Sequence, residues 1–550
     1  MASLLISIKN WFQYQRVGGN KNLAQISSPA AVDHSSNVDC ESLEFDRALT
    51  TRSLAVTGLL VSWVIGILCV VFGSGHVLRP TLSMASKNWN ETGFSEDMHF
   101  HNWPQLNISS TAGELLPLLI NTIVTLLMEA MGLIHSTTLR WALHDRLTFH
   151  SNLRIFTTSD QHGCLGKASN TLHAVFLIMA YAGASLMLAT PPAENFCKTV
   201  VGLGDEQLNG CGDIVVLATP SLCCLGVGLL GQAALTTWQF FAIPIPTWSS
   251  NPLDTAWASV SGGSRVRVPG RCMMSVYDAE LPTEPRQPQS RQRSLWKSHR
   301  EARFVMSYIW LVTWIFLLIF IIIQVVLVEK DRLFSSPDSV GCNGCNAYLG
   351  SNWNLLRDSG NTSMSAAIIA EYYPDLYGGL WILFAILQGT LTLVLHCAEL
   401  VISASRDEDT WRQCYTQHVG KNARPNALIR AATSWTAVLL FLFKVVLHWL
   451  FGNAISYAYN WGIFIRPPPL LYLTIGSFLL SSFVSFICFR RPRGEQPSTF
   501  GHVQTLVNLV DVWHLQLFWG DKGVPGSDGV RHAGTASKPL ERVIMNEFYA

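Results

Sequence analysis

LAVTGLLVSWVIGILCVVFGS, residues Leu54 to Ser74, runs for twenty-one positions without a charge. A helix rises about 1.5 Å per residue and the hydrocarbon core of a bilayer is about 30 Å thick, so roughly 20 apolar residues make one crossing. Seven further stretches read the same way: Leu115 to His135, Leu172 to Thr190, Ile214 to Thr237, Val305 to Val328, Gly378 to Ile402, Ser434 to Phe451 and Pro469 to Phe489. In hydrocarbon every backbone donor and acceptor must be satisfied within the segment or within a closed barrel. The expected fold is therefore all-α, a polytopic transmembrane helix bundle of about eight spans. The third and seventh stretches are the weakest, with a re-entrant or buried segment as the alternative, and losing either would reverse every later loop.

Composition agrees with a membrane class, since 49% hydrophobic against 14% charged residues is too apolar for several soluble domains. The 38 basic and 37 acidic residues nearly cancel, which argues against a nucleic-acid partner. The basic residues are sorted by loop instead. With the N-terminus inside, the inner loops hold Arg140, Arg146, Arg154 and Lys167, nine basic residues from Arg265 to Arg303, those of Arg406 to Arg430, and Arg490, Arg491 and Arg493. The outer loops hold only Arg79, Lys87, Lys198, Lys330, Arg332, Arg357 and Arg466, the asymmetry of the positive-inside rule. Both termini are thus expected in the cytosol, in the plasma membrane or another membrane of the secretory pathway. Leu4 to Ile8 is too short for a signal-peptide core.

Two further marks fit this topology. The sequons at Asn90, Asn107 and Asn361 fall in outer loops, where glycosylation occurs. Cys197, Cys211, Cys342 and Cys345 are the four cysteines there, an even number on the side that permits disulfides. Two bridges are expected, within each loop or between the two, and the pairing stays open. A redox role for Cys342 and Cys345 lacks the βαβ context that such a motif needs.

Residues 1–53 read as a largely disordered cytosolic tail. Two four-helix membrane units, 54–241 and 305–489, flank a basic, Pro-rich connection over 242–304. That connection reads as irregular chain, either solvated or touching anionic lipid through its 265–303 stretch. Over 490–523 the apolar residues Val503, Leu506, Val507, Val510, Trp513 and Leu517 recur at helical spacing, which predicts an amphipathic cytosolic helix. Its polar face has little positive charge, so docking onto the protein's own loops through Trp513 and Trp519 is favoured over a lipid surface. Residues 524–550 read as a disordered tail.

The two units invite a four-plus-four reading. Arg52 precedes Leu60-Val61-Ser62-Trp63 as Arg303 precedes Leu311-Val312-Thr313-Trp314, and Glu129 precedes Trp141 at the spacing by which Glu399 precedes Trp411. Such a repeat would relate two units of like orientation by an axis along the membrane normal.

Ionisable residues inside spans are costly and mark function by default. Here they are Glu129 in the second stretch, His396 and Glu399 in the sixth, and Lys444 and His448 in the seventh. The last two pairs each share a helix face. Counting inward places Glu129 and Lys444 at depths of roughly 10 and 15 Å, so they can pair. Three readings stay open: a structural ion pair, a proton- or ion-coupled pathway, and snorkelling of Glu399 and His448 to the headgroups. No phosphate loop, zinc helix or nucleophile elbow occurs, and His135, His144 and His150 lack metal-ligand spacing. An enzyme is not expected, nor a metal or cofactor.

The motif His135-Ser136-Thr137-Thr138-Leu139-Arg140-Trp141, with Arg154, Arg406-Asp407-Glu408-Asp409, Trp411-Arg412 and Gly501-His502-Val503-Gln504-Thr505-Leu506, resembles a group of uncharacterised multipass membrane proteins of filamentous fungi. The resemblance spans nearly the whole chain from the first stretch to Trp519; it implies fold and membrane location and carries over no catalytic residue. Read physically, these signatures suggest an ordered inner face. Arg140 and Arg154 are expected to clamp onto Asp407, Glu408 or Asp409, with Trp141 and Trp411 packing where helices leave the bilayer; a solvated charge run is the alternative. The expected function is a transporter or channel for a small solute, or else a non-transporting membrane scaffold or accessory protein.

Overall fold

The structure, a computed structural model, describes residues 45–77, 105–106, 108, 110–143, 146–189, 215–334, 366–368, 377–415, 421–422, 434–458, 462–514, 516–524 and 529–550. The sequons and the four outer cysteines lie outside the described residues. The helices longer than four residues are α1 (Leu49–Val77), α2 (Ser110–Ala142), α3 (Lys167–Leu186), α4 (Thr219–Ala242), α5 (Pro252–Ser261), α6 (Arg300–Phe334), α7 (Tyr377–Arg412), α8 (Trp435–Ala454), α9 (Pro467–Phe489) and α10 (Val503–Leu509). Among the described residues seven of them, α1, α2, α4, α6, α7, α8 and α9, are long and apolar enough to cross a membrane. The chain is a multipass membrane protein built mainly of helix. The weak seventh stretch is among these seven, as α8.

The weak third stretch corresponds to α3, which has 20 residues and a buried run from Ala180 to Leu186. Its second half is enclosed by protein, where α3 packs on α2, α4, α7 and α8, while Leu172 and Val175 in its first half are exposed. A Cβ at Gly183 would stand 2.5 Å from the Leu225 backbone nitrogen, and one at Gly228 would stand 2.7 Å from that of Ala180. Such contacts let α3 and α4 approach backbone to backbone, the usual way membrane helices gain dispersion energy.

The helices form two sets with the same internal packing. In the first, α1 lies against α2 and α4, while α2, α3 and α4 are mutual neighbours; in the second, α6 lies against α7 and α9, while α7, α8 and α9 are mutual neighbours. The sets meet where α2 packs on α8 and α3 on α7. At one end each set closes with an antiparallel sheet. Strands β1 (Gln105–Leu106), β2 (Leu188–Ala189) and β3 (Val215–Leu217) pair in the order β1-β3-β2. In the second set β4 (Ala366–Ile368), β6 (Ile455–Ala458) and β7 (Gly462–Ile465) pair as β4-β7-β6. Each sheet takes one strand before its set's second helix, one after the third and one before the fourth.

At the other end the loops fold into a cap. The indole of Trp141, ending α2, donates to the Thr247 carbonyl at 3.1 Å, and that of Trp411, ending α7, donates to the Pro497 carbonyl at 2.8 Å. Thus each set ties the chain that follows its fourth helix to the end of its second. Much of 242–304 is irregular chain, as its prolines predict, but it is packed and hydrogen-bonded where a solvated linker was expected. Asn251 caps α5 by accepting from the Leu253 amide at 3.1 Å, and Arg271 donates to the carbonyls of Ala279 and Leu281 at 2.7 and 2.8 Å. Tertiary partners thereby satisfy a Pro-broken backbone that has no ladder of its own.

The single amphipathic helix predicted over 490–523 is also corrected. Only α10 is helical; the chain then extends into β8 (Gln516–Asp521), which pairs with β5 (Lys421–Asn422) and β9 (Ala533–Ala536). The expected docking on the protein's own loops is seen. Trp513 stacks on Trp257 with centroids 5.7 Å apart, and Trp519 is buried with Leu253, Val507 and Tyr549. Residues 529–550, expected to be disordered, are ordered: β9 completes the sheet and the Tyr549 hydroxyl donates to Asp521 at 3.2 Å.

Candidate functional site

Four helices, α2 and α3 from one set and α7 and α8 from the other, face each other at the junction, and each turns a polar stripe inward. On α7 the stripe is Gln388, Thr392, His396 and Glu399, positions that recur on one helix face. Lys444 and His448 supply it on α8, and Tyr181 and Ser185 on α3. The five residues expected to form an intramembrane site meet here. Lys444 Nζ donates to Glu129 Oε1 of α2 and, at 3.1 Å, to Glu399 Oε2 of α7. His396 Nδ1 lies 3.8 Å from the same Glu399 oxygen.

A fourth charge comes from outside the spans. Arg154, on the loop between α2 and α3, reaches in so that Nη2 pairs with Glu399 Oε2 and lies 3.0 Å from His396 Nδ1. Two side chains hold that loop. Asn170 Nδ2 donates to the carbonyls of Arg154, Ile155 and Thr157, and His135 bridges the Arg154 carbonyl and Gln239. Gly132 leaves the space that the guanidinium fills, since a Cβ there would stand 2.5 Å from Arg154 Nη1. His135 is therefore a buried positioning residue.

The two carboxylates balance the two cations, but they differ in access. The Lys444 and His396 side chains are 3% exposed, whereas those of Glu129 and Glu399 are 31% and 27% exposed. Leu391 to Ile402 of α7 is buried almost throughout, so Glu399 is among the few positions of that stretch that keep partial exposure. Further along the stripe, Gln388 Nε2 bonds the Ser185 hydroxyl at 3.2 Å and meets His448 Nδ1 at 2.8 Å. Tyr181 stacks on His448 with centroids 3.9 Å apart. Gln388 Oε1, His396 Nε2 and His448 Nε2 are buried with no hydrogen-bond partner among the described residues. A buried polar atom left in that condition costs about 1–3 kcal/mol, so the column favours polar molecules that can reach it.

Glu129, His396 and Glu399 also offer ligand atoms within 4.8 Å of one another, a geometry compatible with a metal ion. The oxygens already serve Lys444 and Arg154, so a divalent cation would have to displace both. That donor set fits an ion pair better than a resident metal.

The expected clamp is met in part, by Arg140 beside Asp407. Arg154 belongs to the Glu399 cluster. Arg140 donates to the carbonyls of His150 and Ser249, each at 3.2 Å, with Asp407 near enough to act on its charge. Asp407 accepts from the Ser151 hydroxyl at 2.9 Å. Glu408 accepts from Arg412 at 2.8 Å and from the amides of Thr499 and Phe500 at 2.8 and 2.9 Å. Asp409 lies 3.7 Å from Arg490 and is exposed. Asp407 and Glu408 are thus buried, and Glu408 is held by the backbone amides of Thr499 and Phe500, the latter at positive φ.

No family model, no curated protein and no solved structure matches this chain.

Proposed function

We propose that the protein is a carrier for a small solute, with the route along the polar column between α2, α3, α7 and α8 and with Glu129, Glu399 and Lys444 as its charge-exchanging centre. The observation that carries this reading is the set of buried, unpartnered polar atoms on Gln388, His396 and His448 beside two carboxylates that stay partly exposed. Intramembrane carboxylates and imidazoles that water reaches exchange protons, so coupling to a proton is the chemistry at hand.

The reading takes α3 as an eighth crossing, with both termini in the cytosol and two four-helix units related along the membrane normal. Support comes from the shared packing, from the matching strand orders and from the two indole anchors at Trp141 and Trp411. The anchors inside the spans also correspond: Trp63 donates to the Thr237 hydroxyl at 3.2 Å and Trp310 to that of Ser485 at 3.1 Å. That makes Trp310, one turn before the Trp314 of the sequence match, the counterpart of Trp63. The resemblance to multipass fungal proteins remains part of this reading.

The test uses the full-length protein in proteoliposomes. Cysteine placed at Thr392 is to be reacted with a membrane-impermeant thiol reagent, and a panel of labelled solutes assayed with and without a pH gradient. Labelling at position 392 and flux of at least one solute, abolished by Lys444→Met, are the expected results. A position 392 that stays unlabelled from both sides would sink the carrier reading.

One observation favours a second reading. Because the charges of Glu129, Glu399, Lys444 and Arg154 cancel, the cluster is also what a lock between two helical sets of a membrane scaffold requires. The pair variant Glu129→Gln/Lys444→Met separates the two, since it restores helix packing in both cases but restores function only if the cluster is a lock.

A further inference from the structure

Where α7 and α9 enter the cap, the protein encloses a cavity of about 650 Å³ whose cations are all arginine: Arg291, Arg412, Arg490, Arg491 and Arg493. We infer that this cavity binds the phosphorylated headgroup of an anionic membrane lipid.

The first argument is charge. Two carboxylates, Glu408 and Asp409, also line the cavity, but Glu408 is spent on Arg412 and on the Thr499 and Phe500 amides. Asp409 faces Arg490 at 3.7 Å. The side chains of Arg291, Arg491 and Arg493 have no ion-pair partner among the described residues, and all three are exposed. Arginine presents a planar fork that matches phosphate oxygens two at a time, so three free forks around one cavity suit a group carrying phosphomonoesters.

The second argument is geometry. Arg291 and Arg493 face each other in an antiparallel bridge, a register fixed by the Gln292 amide on the Pro492 carbonyl at 2.9 Å and the Gly494 amide on the Ser290 carbonyl at 3.0 Å. Like charges directly opposite across a strand pair repel. The fold imposes this opposition through two backbone hydrogen bonds, and an anion between the guanidinium groups turns the repulsion into attraction.

The third argument, position, selects a lipid over a free phosphate. Helix α9 ends at Phe489 and Arg490 follows at once, so the cavity lies at the level where headgroups begin. Phe486 lines it and is exposed, and Ile475, Leu479 and Phe489 continue the same exposed face along α9. That apolar track runs into the bilayer from the mouth of the cavity and gives acyl chains a surface. Arginine clusters next to a span are the common sequence form of anionic-lipid recognition.

The test titrates full-length protein in phosphatidylcholine nanodiscs with dioctanoyl phosphatidylinositol bisphosphate, with the soluble inositol trisphosphate headgroup and with inorganic phosphate, reading the thermal midpoint and bound ligand. Saturable binding of the lipid, weakened at least about tenfold by Arg491→Gln/Arg493→Gln and unchanged by Lys538→Gln, is expected from about 1 kcal/mol per basic residue. Equal affinity for the soluble headgroup would overturn the lipid assignment. Binding unaffected by the double variant, in protein whose unliganded midpoint matches the parent, would overturn the site; the single Arg491→Gln variant serves if the double one misfolds.

Discussion

Arg154 and Glu399 lie 245 residues apart in the chain and form an ion pair at the junction of the two helical sets. A loop arginine thus completes a charge cluster built by three helices. Gly132→Ala tests how closely the fit is set, since the added Cβ meets Arg154 Nη1. A loss of about 1–3 kcal/mol is expected from the crowding. In a double-mutant cycle Gly132→Ala should cost less in an Arg154→Gln background, and strict additivity would show that the glycine does not serve the arginine.

Lys444 holds one carboxylate from each set. Replacing it by Met leaves two acidic groups facing each other with only Arg154 nearby. Removing one partner of a buried pair commonly costs about 3–5 kcal/mol, so the thermal midpoint in detergent should fall clearly. Glu129→Gln introduced with Lys444→Met should recover most of it. A midpoint for Lys444→Met equal to the parent's would mean that the carboxylates simply take up protons.

Glu408 serves the cap rather than a salt bridge across the sets. Glu408→Gln keeps an acceptor for the Thr499 and Phe500 amides, whereas Glu408→Ala strands both. The alanine variant should lose about 2–4 kcal/mol and the glutamine variant much less. Exchanging the charges of Arg140 and Asp409 should rescue neither single change, because Asp409 faces Arg490. Rescue, read as recovered expression and monodispersity, would restore the clamp expected from sequence.

Cap stability should peak near pH 6.5. The hydrogen bond to Asp511, with Cys272 adding to it, raises the His532 pKa to about 10, so that contribution is complete below about 6.5 and fades as pH climbs toward 10. Burial pushes His299 and His502 down to about 4, so their contribution is complete above about 6.5 and fades as pH falls toward 4. Hydrogen exchange of peptides spanning 503–521 and 529–550, corrected for intrinsic rates, should show greatest protection between these limits. Protection that rises steadily to pH 9 would contradict the His532 assignment.

Sequence alone made the spans legible, because twenty apolar residues in a row leave the backbone little choice, and depth along the helices already brought Glu129 to Lys444. It also carried an unused signal, since the polar stripe from Gln388 to Glu399 has plain helical spacing. Arg154 was not legible as part of the cluster: nothing local distinguishes an arginine that enters the bundle from one that stays in the loop. The cap was foreseen as an ordered inner face, but the part that 242–304 and 529–550 play in it was missed for a related reason. Its order rests on contacts between segments more than 200 residues apart, such as the Val268 amide on Asn508 at 3.0 Å, and prolines in 242–304 lower local propensity without preventing such contacts.

The cap binds both helical sets at one end, through the two indole anchors and through α5 packed on α10, with Trp257 stacked on Trp513. At the other end the strand hydrogen bonds stay within each set. The sheets touch through β2 and β6 without sharing a strand bond, so prising the sets apart would cost side-chain packing at that end and a hydrogen-bonded frame at the cap.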